Sequence, residues 1–344
     1  MKPESAAMAA ITGDAPSLTV DDVALAVEAA FGLSGDYSPL VSERDQNFML
    51  RSANGSRYVA KVTSRFEKSV ATDFQINALQ HLEHVSDVLV PQVCQTLSGD
   101  SSCRICDEHG AYRLRVVTWV DGVPLETLPL GQDIVRDLGT ALARLDRAFA
   151  GFSHPGERPE LLWDLQRAAE LRCLLSCIDD AGIRARVARV IDDFENNVLP
   201  EMSGLRSQVI HGDPNPGNVL TTDAGMGFID FGDIVKAPLV FDVAIAASYL
   251  RVFDANPLQF IVPFVAAYHA VMPLTPQEGE LLFDLVRTRL ATTNSLLYWR
   301  LGARGQGDPY RQKALDGESG AAGFLGLLDG LGREAFRREM LFIS

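Results

Sequence analysis

The chain has 344 residues, 47% of them hydrophobic and 22% charged, a composition that is typical of a globular protein too long for one hydrophobic core. Its net charge of −14 argues against a nucleic-acid partner, which needs a basic surface. The most apolar run, residues 261–272, is too short for a membrane span, and the first seventeen residues lack the pattern of a secretion signal. We therefore expect a cytoplasmic protein without membrane association.

The N-terminal region begins with a helix signal. Thr19 precedes Asp22 by three positions, which is the pattern of a capped helix start, and Gly32 follows the last residue of an apolar face. We expect a loop over residues 33–40.

A β-hairpin with a central lysine follows. Residues 47–52 and 57–63 alternate in polarity on either side of an Asn54-Gly55 turn signal. The second segment loosely matches the Val-Ala-Ile-Lys pattern of kinases, in which the lysine, here Lys61, pairs with nucleotide phosphates. The alternative is a lysine that faces solvent.

A small antiparallel sheet is expected to be completed by later segments. Residues 67–82 predict a helix, and residues 90–93 and 112–117 predict further strands. From residue 130 onward apolar residues repeat at helical spacing, and the glycines from Gly317 to Gly330 predict a loose connection.

Five cysteines leave two interpretations open. Cys103 and Cys106 form a Cys-x-x-Cys pair with His109 close behind, and Cys173 and Cys177 lie four positions apart. The first interpretation is a zinc site, and the second is a set of reduced, unpaired thiols.

The strongest functional signal lies between residues 209 and 233. His211, Asp213 and Asn218 reproduce the His-x-Asp-x-x-x-x-Asn spacing of a kinase catalytic loop, and Asp230-Phe231-Gly232 follows in order. In this chemistry Asp213 accepts the proton of an attacking hydroxyl, while Asn218 and Asp230 hold Mg²⁺ on the nucleotide phosphates.

The segment between the two motifs predicts a short hairpin. Residues 218–221 and 227–230 read as strands around a turn at Asp223-Ala224-Gly225, which would bring Asn218 and Asp230 to one metal ion. We expect His211 to act as a buried hydrogen-bonding support, and Asp242 to hold the backbone of the catalytic loop.

With Gly212 in place of the arginine of protein kinases and Pro214-Asn215-Pro216-Gly217 in the loop, the segment resembles the aminoglycoside phosphotransferase and choline kinase superfamily. It is most similar to the hydroxylysine kinase-like branch, as is the Ser-Glu-Arg-Asp-Gln-Asn-Phe string at residues 42–48.

The resemblance implies an α+β, bilobal protein-kinase-like fold with a small antiparallel-sheet N-lobe and a mostly helical C-lobe. The expected divisions are a flexible tail at residues 1–18, a nucleotide-binding lobe at 19–118, a hinge at 119–123 and a helical lobe at 124–344.

The resemblance also implies several contacts with the nucleotide. Ser42 lies in the segment that would cover the phosphates, and Thr118 and Val120 would offer backbone groups to the base. Asp73 stands where the family places the glutamate that holds the lysine, although aspartate is one methylene shorter, and Glu67 is the alternative partner of Lys61.

The implied reaction is transfer of the γ-phosphoryl group of ATP or GTP, with Mg²⁺, to a hydroxyl of a small molecule such as 5-hydroxylysine. Asp233 is a candidate contact for a substrate ammonium group, and a loop-capping aspartate is its structural alternative. A non-catalytic nucleotide-binding relative and an atypical protein kinase are the alternative functions. The sequence leaves open the acceptor, the choice between ATP and GTP, and the oligomeric state.

Overall fold

The structure, a computed structural model, describes residues 16–42, 44–85, 87–108, 110–254, 256–304 and 311–343. The tail predicted over residues 1–18 lies outside these ranges as far as residue 15. The chain divides into two units. The first extends to Val85 and adds Val90–Asp121 and His154–Glu160, and the second comprises Ser86–Leu89, Gly122–Ser153 and the chain from Leu161 onward.

The first unit is built on a five-stranded antiparallel sheet. Its elements are helix α1 (Val20–Phe31), strands β1 (Gly35–Leu40), β2 (Gln46–Ser52) and β3 (Arg57–Thr63), helix α2 (Ser69–Val85), and strands β4 (Cys103–Asp107) and β5 (Gly110–Thr118). The strand order is β1-β2-β3-β5-β4. One face of the sheet, with Ala60 and Val62 of β3, belongs to a buried core that also contains Val23 and Val27 of α1.

The start of α1 is confirmed as a capping box. The Thr19 hydroxyl accepts a hydrogen bond from the Asp22 amide at 3.1 Å, and the Asp22 carboxylate accepts one from the Thr19 amide at 3.3 Å. Gly32 ends the helix in a left-handed conformation with φ of 66°, which costs glycine nothing because it has no Cβ.

Two sheet predictions were wrong. Residues 35–40, expected in a loop, form edge strand β1, where Pro39 is tolerated because an edge strand needs fewer backbone donors. Residues 90–93 contribute only an isolated bridge between Val93 and Val117, and the strand beside β5 is instead β4, which carries the Cys-x-x-Cys pair.

The second unit is mostly helical. Its longer helices are α3 (Gln132–Ala148), α4 (Ala181–Asp193), α5 (Val240–Ala247), α6 (Ile261–Val271), α7 (Pro276–Arg304), α8 (Arg311–Leu331) and α9 (Arg333–Glu339), with a 3₁₀ helix at Leu165–Cys177. Its short strands are β6 (Val123–Pro124), β7 (Ser207–Ile210), β8 (Val219–Thr222), β9 (Gly225–Phe228) and β10 (Val235–Pro238). Strand β10 pairs with β7, and β6, β8 and β9 form a three-stranded sheet.

The loose connection expected between Gly317 and Gly330 was a wrong prediction, because both glycines lie within helix α8. None of the helices in the described ranges combines the length and the apolar character that crossing a membrane requires.

Helices α3 and α6 approach each other closely at Gly139. A Cβ atom at this position would lie 2.2 Å from the backbone carbonyl oxygen of Phe264, so only glycine fits. By contrast, a Cβ atom at Gly330 of α8 would meet no heavy atom within 4 Å.

We therefore expect Gly139→Ala to lower the free energy of unfolding by about 1–3 kcal/mol, because backbone atoms must move to admit the methyl group. Gly330→Ala is the matched control and should raise stability slightly, since alanine favours a helix over glycine by roughly 1 kcal/mol. Thermal unfolding of both variants checks this, and equal melting temperatures would contradict the close approach.

Candidate active site

The loop after β7 is held by a buried carboxylate. Asp242 of α5 is fully buried, and its two oxygens accept hydrogen bonds from the backbone amides of His211 at 2.7 Å and Gly212 at 2.8 Å. The prediction that Asp242 holds the backbone of the catalytic loop is confirmed.

Gly212, which stands where protein kinases have arginine, lies at a position whose backbone requires glycine. Its φ is +78°, and a Cβ atom here would lie 2.1 Å from the carbonyl oxygen of Asp233. A side chain at this position would therefore be strained and would collide with backbone.

His211 supports the loop from within. Its Nδ1 accepts a hydrogen bond from the Asp213 amide at 3.3 Å, so its Nε2 donates to the carbonyl of Ile229 at 3.1 Å. The imidazole is fully buried, its ring centroid lies 4.8 Å from that of Phe231, and burial lowers its pKa. A neutral His211 in this setting is the structural support that we predicted.

The Asp213 carboxylate lies at the centre of a hydrogen-bond cluster. Its Oδ2 accepts from Asn215 Nδ2 at 2.7 Å and from Asn218 Nδ2 at 3.2 Å, and its Oδ1 accepts from Arg289 Nη2 at 2.6 Å. The side chain remains 17% exposed. Burial raises the pKa of Asp213 to about 6, and the charge of Arg289 opposes that rise.

The hairpin predicted after the loop is confirmed, with β8 and β9 as its strands, although β9 ends at Phe228 and Asp230, predicted at its end, lies beyond it. The carbonyl of Asn218 accepts a hydrogen bond from the Ile229 amide at 2.9 Å, so Asn218 lies beside the end of β9, next to Asp230. Among the described residues, Asp230 is the one non-glycine residue with a positive φ, at 59°. Backbone strain of this kind clusters at functional sites.

The side chains of Asn218 and Asp230 have the chemistry of magnesium ligands. Asn218 donates its Nδ2 to the backbone carbonyl of Asp213 at 3.0 Å, so its Oδ1 is the amide atom that could bind a metal ion, and Asp230 is exposed. Mg²⁺ prefers oxygen ligands and is typically held by one or two carboxylates together with substrate phosphates. No group of three or more His, Cys, Asp or Glu side chains suited to a metal ion occurs in the described part of the chain.

Asp233 ends the 3₁₀ turn Phe231–Asp233 and is half-buried. Its charge raises the pKa of Asp213, so the two carboxylates lie close enough to interact.

In the first unit, Lys61 of β3 lies opposite Arg115 of β5, on the sheet face away from the α1 core. Arg115 is 3% exposed and donates hydrogen bonds to the Thr63 hydroxyl at 2.7 Å and to Gln75 Oε1 of α2 at 2.6 Å. The structure therefore places a second cation beside the predicted phosphate-binding lysine.

The two candidate partners of Lys61 both have other contacts. Asp73 Oδ1 lies 2.6 Å from Arg113 Nη2, and Glu67 Oε1 accepts hydrogen bonds from Thr72 at 2.9 Å and Gln75 at 3.2 Å. Burial, and next the charge of Asp45, raise the pKa of Glu67. The pairing of Lys61 with Asp73 stays a prediction, and it faces competition from Arg113.

The predicted base-binding segment begins at Thr118, the last residue of β5. The Thr118 amide donates to the carbonyl of Gln92 at 2.8 Å, and the Trp119 amide donates to the carbonyl of Arg57 at 3.0 Å. The amide of Val120 makes no hydrogen bond with the described residues. Ser42 is half-buried in the connection between β1 and β2.

All five cysteines are free thiols. Cys103 and Cys106 lie three positions apart on strand β4, so their side chains leave opposite faces of the sheet. That geometry does not let the pair bind one metal ion, and His109 lies outside the described residues.

Two residues of this site were not among the predicted site residues. Arg289 of α7 lies 76 positions after Asp213. Asp146 of α3 is fully buried, accepts a hydrogen bond from the Tyr268 hydroxyl at 2.6 Å, and lies near Asp242. Burial, and next the charge of Asp242, raise the pKa of Asp146 well above its usual range. Asp146 ends the Leu-Gly-Thr-Ala-Leu-Ala-Arg-Leu-Asp string of α3, whereas Arg289 belongs to no motif.

Comparison with known proteins identifies the family to which the chain belongs. The model of the phosphotransferase enzyme family matches residues 36–282, which is most of the chain. The chain belongs to the phosphotransferase enzyme family. It is an enzyme, a small-molecule kinase, and the family predicted from the catalytic loop is confirmed.

Curated relatives of this phosphotransferase carry one name. It is 27% identical to the hydroxylysine kinase of Mus musculus over 304 residues, which cover 80% of this chain and 81% of the relative. It is 27% identical to the hydroxylysine kinase of Xenopus laevis over 315 residues, which cover 84% of each chain.

Solved structures confirm the kinase-like fold of the phosphotransferase. A microcompartment-associated aminopropanol kinase superimposes with a TM-score of 0.70 at 20% identity, covering 92% of this chain and 97% of that one. An amicoumacin kinase in complex with AMP-PNP and Ca²⁺ gives a TM-score of 0.68 at 15% identity, covering 89% and 93%. At these identities the likeness concerns the fold alone.

The contact made by Asp242 generates a stability prediction for the phosphotransferase. Asp242→Asn leaves one amide of the loop without an acceptor, which costs about 1–3 kcal/mol for a buried donor. We expect a clearly lower melting temperature, whereas Asp133→Asn, a change at an exposed carboxylate, should alter it little. Scanning calorimetry checks this, and equal melting temperatures of the two variants would show that the loop does not depend on Asp242.

Proposed function

We propose that this phosphotransferase moves the γ-phosphoryl group of ATP or GTP, with Mg²⁺, to a hydroxyl of a small molecule. The observation that carries the proposal is the arrangement of Asp213, Asn218 and Asp230 around one loop and one hairpin of the second unit. Asp213 orients the hydroxyl and accepts its proton. Asn218 and Asp230 hold the Mg²⁺, whose charge offsets that of the phosphates.

Residues of the first unit are proposed to bind the nucleotide. Lys61 contacts the phosphates, with Ser42 beside them, and Arg115 adds a second positive charge on the same sheet face. The carbonyl of Thr118 and the amide of Val120 bind the base. Support for Val120 comes from its amide, which no described residue uses.

The acceptor proposed first is a hydroxylated amino acid such as 5-hydroxylysine. Support comes from relatives named hydroxylysine kinase that match most of the chain. Asp233, which lies close enough to Asp213 to influence its pKa, is proposed to face the substrate ammonium.

A nucleotide-consumption assay tests the proposal, with ATP and GTP each offered together with 5-hydroxylysine, homoserine, 1-amino-2-propanol or kanamycin. Consumption that depends on both Mg²⁺ and 5-hydroxylysine, with lysine as the inactive control, is the expected result. Consumption with another hydroxyl compound would identify a different acceptor and would still support the proposed phosphoryl transfer. No acceptor-dependent consumption across a broad panel would overturn the proposal.

The first catalytic prediction concerns Asp213. Asp213→Asn should lower kcat by about 10²-fold or more, because the amide cannot accept the hydroxyl proton. Nucleotide affinity should change little, since Asp213 is not proposed to bind metal or base. Steady-state kinetics on the acceptor found above measures both, and turnover near that of the wild type would remove Asp213 from this role.

The second catalytic prediction concerns Asp230, the proposed metal ligand. Asp230→Ala should abolish Mg²⁺-dependent nucleotide binding, because this carboxylate is the one charged ligand of the proposed site. Asp223→Ala, at the exposed turn of the same hairpin, is the matched control and should bind normally. Isothermal titration calorimetry with MgATP and MgGTP decides, and equal affinities for the two variants would refute the assignment.

A further inference from the structure

The guanidinium of Arg289 is held by several contacts besides the one with the Asp213 carboxylate. Arg289 is 1% exposed, and its guanidinium carbon lies 4.8 Å from the ring centroid of Trp163 and 5.8 Å from that of Tyr249. Its Nη1 donates to the carbonyl of Trp163 at 3.2 Å, and its Nη2 donates to the Tyr249 hydroxyl at 3.1 Å. Arg251 lies 5.3 Å from the same Tyr249 ring.

A buried guanidinium is retained only where its charge is compensated, because removing it from water costs several kcal/mol in rough terms. Here the compensation comes from Asp213 Oδ1, 2.6 Å from Nη2. Because the planar group lies over aromatic rings and is tied to two further acceptors, it cannot swing with the carboxylate. The position of Asp213 Oδ1 therefore follows from that of Arg289.

The hydrogen bonds of Asp213 also distinguish its two oxygens. A carboxylate offers about four acceptor positions, two on each oxygen. In the described chain Oδ2 accepts from two donors, Asn215 and Asn218, whereas Oδ1 accepts from Arg289 alone. The open acceptor position is on Oδ1.

We infer that Arg289 is a positioning residue that holds Asp213 with Oδ1 facing the acceptor hydroxyl, and this inference rests on the proposed function. As the hydroxyl oxygen bonds to the γ-phosphorus, its proton passes to Oδ1. The bond between the γ-phosphorus and the β–γ bridging oxygen breaks, and its electron pair leaves with the nucleoside diphosphate. Arg289 acts through Asp213 and contacts no substrate. It also lies beyond residue 282, the last residue matched by the family model.

A double-mutant cycle tests this inference, with Arg289→Met, Asp213→Asn and the double variant. The assay uses 5-hydroxylysine with MgATP and MgGTP, or the acceptor identified by the screen. If Arg289 works only through Asp213, Arg289→Met should lower kcat about tenfold or more in the wild type but less than about twofold in the Asp213→Asn background. The KM for the nucleotide should stay within about twofold, since no nucleotide contact is lost.

Two further variants separate positioning from general stability. Arg289→Lys keeps the charge but not the planar fork, so its kcat should lie between those of the wild type and Arg289→Met. Arg287→Met is the matched control on the same helix, because Arg287 is also buried but pairs with Asp193 and Asp329. It should lower the melting temperature and leave the kcat of the folded protein near that of the wild type.

Equal losses of kcat from Arg289→Met in both backgrounds would overturn the inference, as would wild-type kcat in that variant. A crystal structure of Arg289→Met is independent of any acceptor: a turned Asp213 carboxylate is expected, and an unmoved one would overturn the inference. If Arg289→Met does not fold, Arg289→Lys and Tyr249→Phe each replace it in the double-mutant cycle with Asp213→Asn. Wild-type turnover in Asp213→Asn would remove Asp213 from its proposed role and overturn the inference with it, whereas the proposed function itself fails only if no acceptor supports nucleotide consumption.

Discussion

The pair of hydrogen bonds from two successive backbone amides to the carboxylate of Asp242 is the constraint on which the candidate site depends. Each carboxylate oxygen accepts one amide, from His211 or from Gly212, and the acceptor is fully buried on helix α5. With the loop backbone fixed in this way, the Cα position of the next residue, Asp213, is also fixed. Behind Asp242, the buried Asp146 and the Tyr268 hydroxyl extend the polar cluster into α3 and α6.

The charges around Asp213 are arranged asymmetrically. Neutral amides of Asn215 and Asn218 bind one oxygen, and the positive charge of Arg289 binds the other. Burial first, and then the charges of Asp233 and Asp230, raise the pKa of Asp213, and the charge of Arg289 opposes that rise. Arginine supplies a charge that does not titrate at physiological pH, so its effect on Asp213 persists across that range.

The sequence predicted what depends on short separations along the chain. The catalytic loop, the β8–β9 hairpin and the capping box of Thr19 each involve residues within about twenty positions, where spacing and turn chemistry are visible. The role of Asp242 was predicted by likeness to kinases. Strand β1 was missed because Gly35 and Pro39 resemble a loop, and β4 was missed because its cysteines were interpreted as a metal site or as free thiols.

Arg289 and Arg115 could not have been predicted from spacing. Arg289 reaches Asp213 across 76 positions and from the middle of a long helix, where an arginine usually faces solvent. Arg115 occupies an alternating strand and is bound by Thr63, 52 positions away, and by Gln75. In both cases the residues that bury the charge and the partners that compensate it are distant along the chain, so no local pattern reveals them.

The left-handed backbone of Asp230 has a consequence for how this protein can evolve or be engineered. An aspartate at a φ of 59° stores conformational energy of about 1 kcal/mol or more that a glycine there would release. Random mutagenesis followed by selection for thermal resistance alone should therefore favour loss of this side chain, and with it the proposed metal ligand. A selection for a more stable enzyme therefore needs turnover as a second criterion. Selection for heat tolerance alone would enrich variants that have lost the Asp230 carboxylate and gained an unstrained backbone at this position.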